Sequence, residues 1–147
     1  MASALLAVDN GVEARLYWKL SLLSIERWTR LLRLVWAVAV VVVIVGSLLP
    51  ADSSAIRTIS ELPVNDKVQH GLAYAVLALL PVLHERLRTA AVILVLVAAL
   101  GVALEFGQLY SPGRSFDTQD MMADLAGEAV GAVIGLFLRR LLLPGVN

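Results

Sequence analysis

This sequence predicts an all-α integral membrane bundle of four transmembrane helices, preceded by an N-terminal amphipathic helix. Three observations predict it. Hydrophobic residues make up 59% of the 147-residue chain and charged residues only 16%, against about 45–50% and about 25% in soluble domains. Apolar stretches near the roughly 17–25 residues that cross a bilayer recur four times. Prolines mark the ends of these stretches, where the backbone hydrogen-bond ladder of a helix cannot continue.

The first 30 residues are read as a cytoplasmic or interfacial leader, and residues 31–143 as the transmembrane domain. In the leader, Arg15, Lys19, Glu26, Arg30 and Arg33 fall on one helical face, opposite Leu16, Leu20, Leu23 and Trp28. Such a segment lies in the headgroup layer, with Trp18, Trp28 and Trp36 as anchors. The charged leader is too long for the n-region of a secretory signal, so the apolar run behind it is expected to be an uncleaved anchor.

The first span runs over 31–49 and ends at Pro50. The second covers 68–83, preceded by Pro63 and with Pro81 inside its far end. It is the shortest, and Asp66 and Lys67 snorkel toward water to let it cross. The third covers 89–109 before Pro112, and the fourth 121–143 before Pro144. Short loops between them imply antiparallel neighbours in a compact bundle.

Orientation follows from the basic residues. Arg27, Arg30, Arg33, Arg86, Arg88, Arg139 and Arg140 put seven on one side, against Arg57, Lys67 and Arg114 on the other. Positive residues stay in the cytoplasm. Both termini are therefore expected there, with loops 51–66 and 111–120 facing outward.

Composition also excludes functions. Twelve basic and twelve acidic residues give zero net charge, so there is no basic surface for nucleic acid. With no cysteine, the chain has no disulfide, thiolate metal site or cysteine nucleophile.

The polar residues of the spans gather at one end. Asp66, Lys67, His70 and Tyr74 open the second span, with 66, 70 and 74 on one face. Glu105 and Gln108 close the third. The segment Ser111-Pro112-Gly113-Arg114-Ser115-Phe116-Asp117 links it to the fourth, which Asp120 and Asp124 open on one face, with Glu128 about two turns below Asp120. Ionisable groups at membrane depth are costly and by default face the bundle interior. Asp66, Glu105, Asp117, Asp120 and Asp124 set five acids against Lys67 and Arg114. Protonated carboxyls, a divalent metal ion or a cationic ligand would balance them. Arg114 beside helix amino ends could instead grip an anion. Asp66 and Asp120 could simply cap their helices, and the remaining groups could serve as interhelical hydrogen bonds.

In the fourth span Gly127, Gly131 and Gly135 recur every four residues. That stripe permits close helix approach, either within the bundle or across a homo-oligomer.

Taken in order, Asp66-Lys67-x-x-His70-x-x-x-Tyr74, Glu105-x-x-Gln108, Pro112-Gly113-Arg114 and Asp120-x-x-x-Asp124-x-x-Gly127-x-x-x-Gly131 resemble the VanZ-like family of bacterial membrane proteins. The resemblance covers residues 34–140 and leaves the leader unmatched. Family members commonly have asparagine where this chain has Asp124. The resemblance implies a multi-pass protein of the bacterial cytoplasmic membrane, in a family named for low-level teicoplanin resistance.

Three functions are weighed on this basis. In the first, the outer pocket recognises an envelope component, such as a lipid-linked precursor, or a glycopeptide-type antibiotic. Its ligand-binding residues are Asp66, Lys67, His70, Tyr74, Glu105, Gln108, Arg114, Asp117, Asp120 and Asp124. In the second, the protein is an enzyme of lipid-linked envelope chemistry, with His70, Glu105 or Asp120 as catalytic candidates and a divalent metal as a cofactor. In the third, it is an assembly partner acting through the glycine face.

Overall fold

The computed structural model describes residues 26–61 and 63–142. Within them lie five helices and no strand: α1 (Glu26–Leu48), α2 (Ser54–Ser60), α3 (Asp66–His84), α4 (Leu87–Gln108) and α5 (Thr118–Leu142). Residues 1–25 of the expected 1–30 leader and the boundary at Pro144 lie outside the described residues, while 26–30 belong to α1. The chain divides into two compact units, Met1–Leu34 and Val35–Asn147.

Three helices, α1, α4 and α5, are long and apolar enough to cross a membrane. By that measure α3, expected as the second span, does not join them. Its 19 residues begin with Asp66, Lys67, Gln69 and His70, which lower its mean hydropathy. Yet α3 is the centre of its unit, carrying the fully enclosed Leu77 and Ala78 and packing chiefly against α5. Pro81 stays inside the helix, where the ladder tolerates it one turn from the end.

The bundle is apolar outside and polar within. Val38, Val41, Val42, Val95, Leu96, Val133 and Phe137 are exposed, whereas Glu105, Gln108, Asp120, Asp124 and Glu128 are buried. This inverts a soluble protein and suits lipid as the solvent.

The buried face of α5 consists only of Asp120, Asp124, Gly127, Glu128, Gly131 and Gly135. A Cβ at Gly127 would collide with the Gly71 carbonyl of α3, and one at Gly131 with the Ala75 carbonyl. The glycine stripe is therefore occupied within the chain, by α3. Arg139 near the end of α5 donates to the carbonyls of Val82 and Glu85, capping the end of α3.

Trp36 fixes α1. Its indole Nε1 donates to the Leu77 carbonyl at 2.9 Å, and Trp36, Val40 and Val43 pack on the cluster of Tyr74, Leu77 and Val97.

One element was not expected. Loop 51–66 contains α2, started by Ser53, whose hydroxyl accepts from Ile56 N. Its Ile56, Ile59 and Ser60 repeat at helical spacing, a signal carried in only seven residues.

Candidate functional site

The ends of α1 and α4 and the starts of α3 and α5 are joined by one loop. Ser111-Pro112-Gly113-Arg114 is a tight turn: Arg114 N donates to Ser111 O at 3.1 Å, and Gly113 has φ +73°. Proline second and a left-handed glycine third is the type II pattern, and only glycine enters that region without strain.

The turn caps α1. Pro50 ends that helix and leaves its last carbonyls without intrahelical donors. Ser111 Oγ donates to Leu48 O at 2.9 Å, Arg114 Nε to Leu49 O at 3.2 Å and Arg114 Nη2 to Gly46 O at 3.2 Å. Arg114, expected to grip an anion, thus spends part of its guanidinium on α1. Its remaining edge borders the cavities described below.

The helix starts are capped by residues other than Asp66 and Asp120. Asn65 Oδ1 accepts from Lys67 N at 2.8 Å. Asp117 Oδ1 accepts from Gln119 N at 2.8 Å. The carboxylates of Asp66 and Asp120 are thereby left for other work.

Two linked sets of contacts follow. In the first, Lys67 Nζ donates to Asp117 Oδ2 and to Asp120 Oδ1. Asp117 N donates to Glu105 Oε2 at 2.9 Å, tying the end of α4 to the start of α5. Lys67 lies beside the Asp117 carboxyl and holds it below the usual carboxylate range, with help from the Gln119 amide. In the second set, His70 Nδ1 meets Asp124 Oδ1 at 3.0 Å, while His70 Nε2 lies 3.8 Å from Asp120 Oδ2. Asp120 therefore divides its oxygens between Lys67 and the imidazole side.

Below these pairs the interior stays polar. Tyr74 is 2% exposed, and its hydroxyl has no partner among the described residues. Deeper still, the buried Glu128 leaves Oε2 without a partner among the described residues.

Two adjoining cavities open beside this network. One, about 230 Å³, has α1 and α2 residues such as Val42, Val43 and Ile56 on one wall and His70, Tyr74 and Gln108 on the other. The second, about 360 Å³, is mostly polar and includes Asp117 and Asp120. Ile56, Ser60, Asp66, Gln69, Gln108 and Arg114 border both, so the two form one cleft with an apolar and a polar end.

All ten expected binding residues fall at this end of the bundle. Lys67, His70, Asp117, Asp120, Asp124 and Glu105 meet in contacts, and Asp66, Tyr74, Gln108 and Arg114 border the cleft. Reasoning from sequence missed Gly46, Gln69, Ile56 and Ser60, which also line it. The helical spacing of Ile56 and Ser60 was the available signal; Gly46 and Gln69 had none.

The model of the VanZ/LLP1 family matches residues 17–139. The match begins well before the motif-bearing segment and takes in residues 17–33, which the motifs left unmatched. No curated protein and no solved structure matches the chain.

Proposed function

This chain belongs to the VanZ/LLP1 family, and from that premise we propose that it is a receptor-like envelope protein whose outer cleft binds an amphiphile at the membrane surface. The occupant is an envelope component such as a lipid-linked precursor, or a glycopeptide-type antibiotic reaching the same surface, which accounts for an association with resistance. In this reading α3 spans the bilayer with α1, α4 and α5. Both termini are cytoplasmic, and the membrane is the bacterial cytoplasmic one.

The observation that carries the proposal is the two-ended cleft. Val42, Val43 and Ile56 give an apolar wall that a chain can lie against, and Asp66, Gln69, Gln108 and Arg114 give hydrogen-bonding groups at the water side. Ligand sites are typically concave and largely apolar, with a few convergent polar groups. The free edge of the Arg114 guanidinium suits a phosphate or carboxylate on the head.

Gly46 supplies a clean test. A Cβ there meets nothing within 4 Å, so a larger side chain grows into open space beside the cavity rather than into protein. Native mass spectrometry of the gently extracted protein should find a co-purifying amphiphile in wild type and lose it in Gly46→Trp. A wild type that carries nothing, or equal occupancy in both, would overturn the reading.

The His70–Asp124 pair favours a second reading, an enzyme of lipid-linked envelope chemistry. A carboxylate-oriented imidazole is what a general base requires. Turnover of a lipid-linked substrate that His70→Gln removes would support it, and turnover unchanged in that variant would exclude it. The homo-oligomer expected through the fourth span has less support, because α3 already covers the glycine face.

A further inference from the structure

Asp66, His70 and Asp120 each place one ligand atom so that all three lie within 4.8 Å of one another. We propose that these three residues form a binding site for a divalent transition-metal cation such as Zn²⁺ or Mn²⁺, set into the wall of the cleft. The proposal goes beyond the amphiphile reading and does not rest on it.

The orientation of His70 is the first argument. A carboxylate only accepts hydrogen bonds, so Asp124 Oδ1 at 3.0 Å from Nδ1 puts the proton on that nitrogen. In the neutral ring Nε2 then keeps its lone pair, on the opposite side from Asp124. A carboxylate bonded to the far nitrogen is the outer-shell arrangement common to metal-ligating histidines. Nε2 then faces Asp120 Oδ2 at 3.8 Å, too far for a hydrogen bond and suited to two ligands sharing an ion.

Asp120 is prepared in a matching way. Lys67 takes Oδ1, which fixes the carboxylate plane and leaves Oδ2 toward His70. Nearby cations do not take this place. Lys67 is drawn to Asp117 and Asp120 Oδ1, and Arg114 donates to the carbonyls of Gly46 and Leu49.

A second observation lies beneath the three ligands. Tyr74 borders the same cavity as Asp66 and His70, one turn below the imidazole. Its side chain is 2% exposed and its hydroxyl has no partner among the described residues. That oxygen lies beside Gly101, where an added Cβ would meet it at 3.0 Å and Asp124 Oδ2 at 3.3 Å. A buried hydroxyl without a partner is costly. Its place near Asp124 marks the polar interior behind His70, into which the ligand set extends.

The donor set selects the ion. One imidazole and two carboxylates suit Zn²⁺ or Mn²⁺ better than the all-oxygen ions Ca²⁺ and Mg²⁺, or a soft ion that seeks sulfur. Three protein ligands also leave coordination positions open toward the cleft.

The test uses full-length protein in detergent, stripped with chelator and titrated with Zn²⁺, Mn²⁺ and Co²⁺. Elemental analysis after dialysis should give one Zn²⁺ or Mn²⁺ per chain in wild type. Asp66→Asn and His70→Gln should each weaken binding by at least about tenfold. A visible Co²⁺ absorption band should report imidazole ligation and vanish in His70→Gln. Asp66 is exposed on the first turn of α3, so Asp66→Asn retains the fold even if His70→Gln does not. No stoichiometric metal in wild type, or binding unchanged in Asp66→Asn, would overturn the proposal.

Discussion

Asp124 Oδ1 stands 3.0 Å from His70 Nδ1, joining the second turn of α5 to the second turn of α3. The contact sits about one turn before Gly127, whose Cβ position is filled by the Gly71 backbone of α3. Close backbone approach is what lets a short aspartate reach across. The shape of the site thus depends on a glycine that carries no chemistry.

Asp124→Asn keeps a hydrogen-bonding oxygen at the same place and removes the charge. The fold should persist, because an amide oxygen still accepts from Nδ1. Affinity for Zn²⁺ or Mn²⁺ should fall by about 10–100-fold, the usual effect of altering a partner behind a ligand. Titration of metal into stripped protein measures this, and unchanged affinity would separate Asp124 from the site.

Gly131→Leu forces a side chain into the Ala75 carbonyl. Overpacking typically costs about 1–3 kcal/mol, and here backbone rather than a flexible side chain must yield. The thermal midpoint in detergent should drop sharply or the protein should fail to accumulate. Gly46→Ala, placed in open space, should be neutral or stabilising by up to about 1 kcal/mol. Equal effects of the two would contradict the packing described.

Much of this was legible beforehand, for identifiable reasons. Apolar runs and prolines placed α1, α3, α4 and α5 within a few residues of their ends, since lipid-facing composition and helix breakers act locally. The spacing of Asp120, Asp124, Gly127, Gly131 and Gly135 marked one face of α5 for burial. The capping alternative for Asp66 and Asp120 falls away: Asn65 and Asp117 hold the helix starts, a choice made by backbone angles that spacing does not encode. The work of Arg114 on Gly46 and Leu49 was hidden too. It spans more than sixty positions of sequence and depends on how the loop returns to α1.

Arg114→Ala should therefore do two things. Removing the donors to Leu49 and Gly46 exposes the α1 terminus and should cost about 1–3 kcal/mol. Arg114→Lys, which lacks the planar fork, should recover only part of that. Limited proteolysis within loop 51–66 together with the thermal midpoint reads the loss; full stability in Arg114→Ala would exclude the capping role.

Asp117 predicts the response to acid. Lys67 and the Gln119 amide hold its carboxyl below the usual range, so its contribution is complete above the ordinary aspartate pKa near 4. That contribution fades as pH falls through the lowered value, because the unfolded chain takes up the proton first. The thermal midpoint of wild type should decline below about pH 4, and Asp117→Asn should start lower and decline less. Parallel curves would show that Lys67 does not depend on this charge.

An amphiphile held in the outer cleft and distinct from bulk lipid can be captured there by a photocrosslinker. Ile59 is exposed and lines the 230 Å³ cavity, whereas Val133 is exposed on the outer face of α5. A benzophenone side chain at each position, irradiated in intact cells, should give different adducts. The account predicts a defined envelope amphiphile at Ile59 and ordinary phospholipid at Val133; no adduct at Ile59, or the same phospholipid at both, would contradict it.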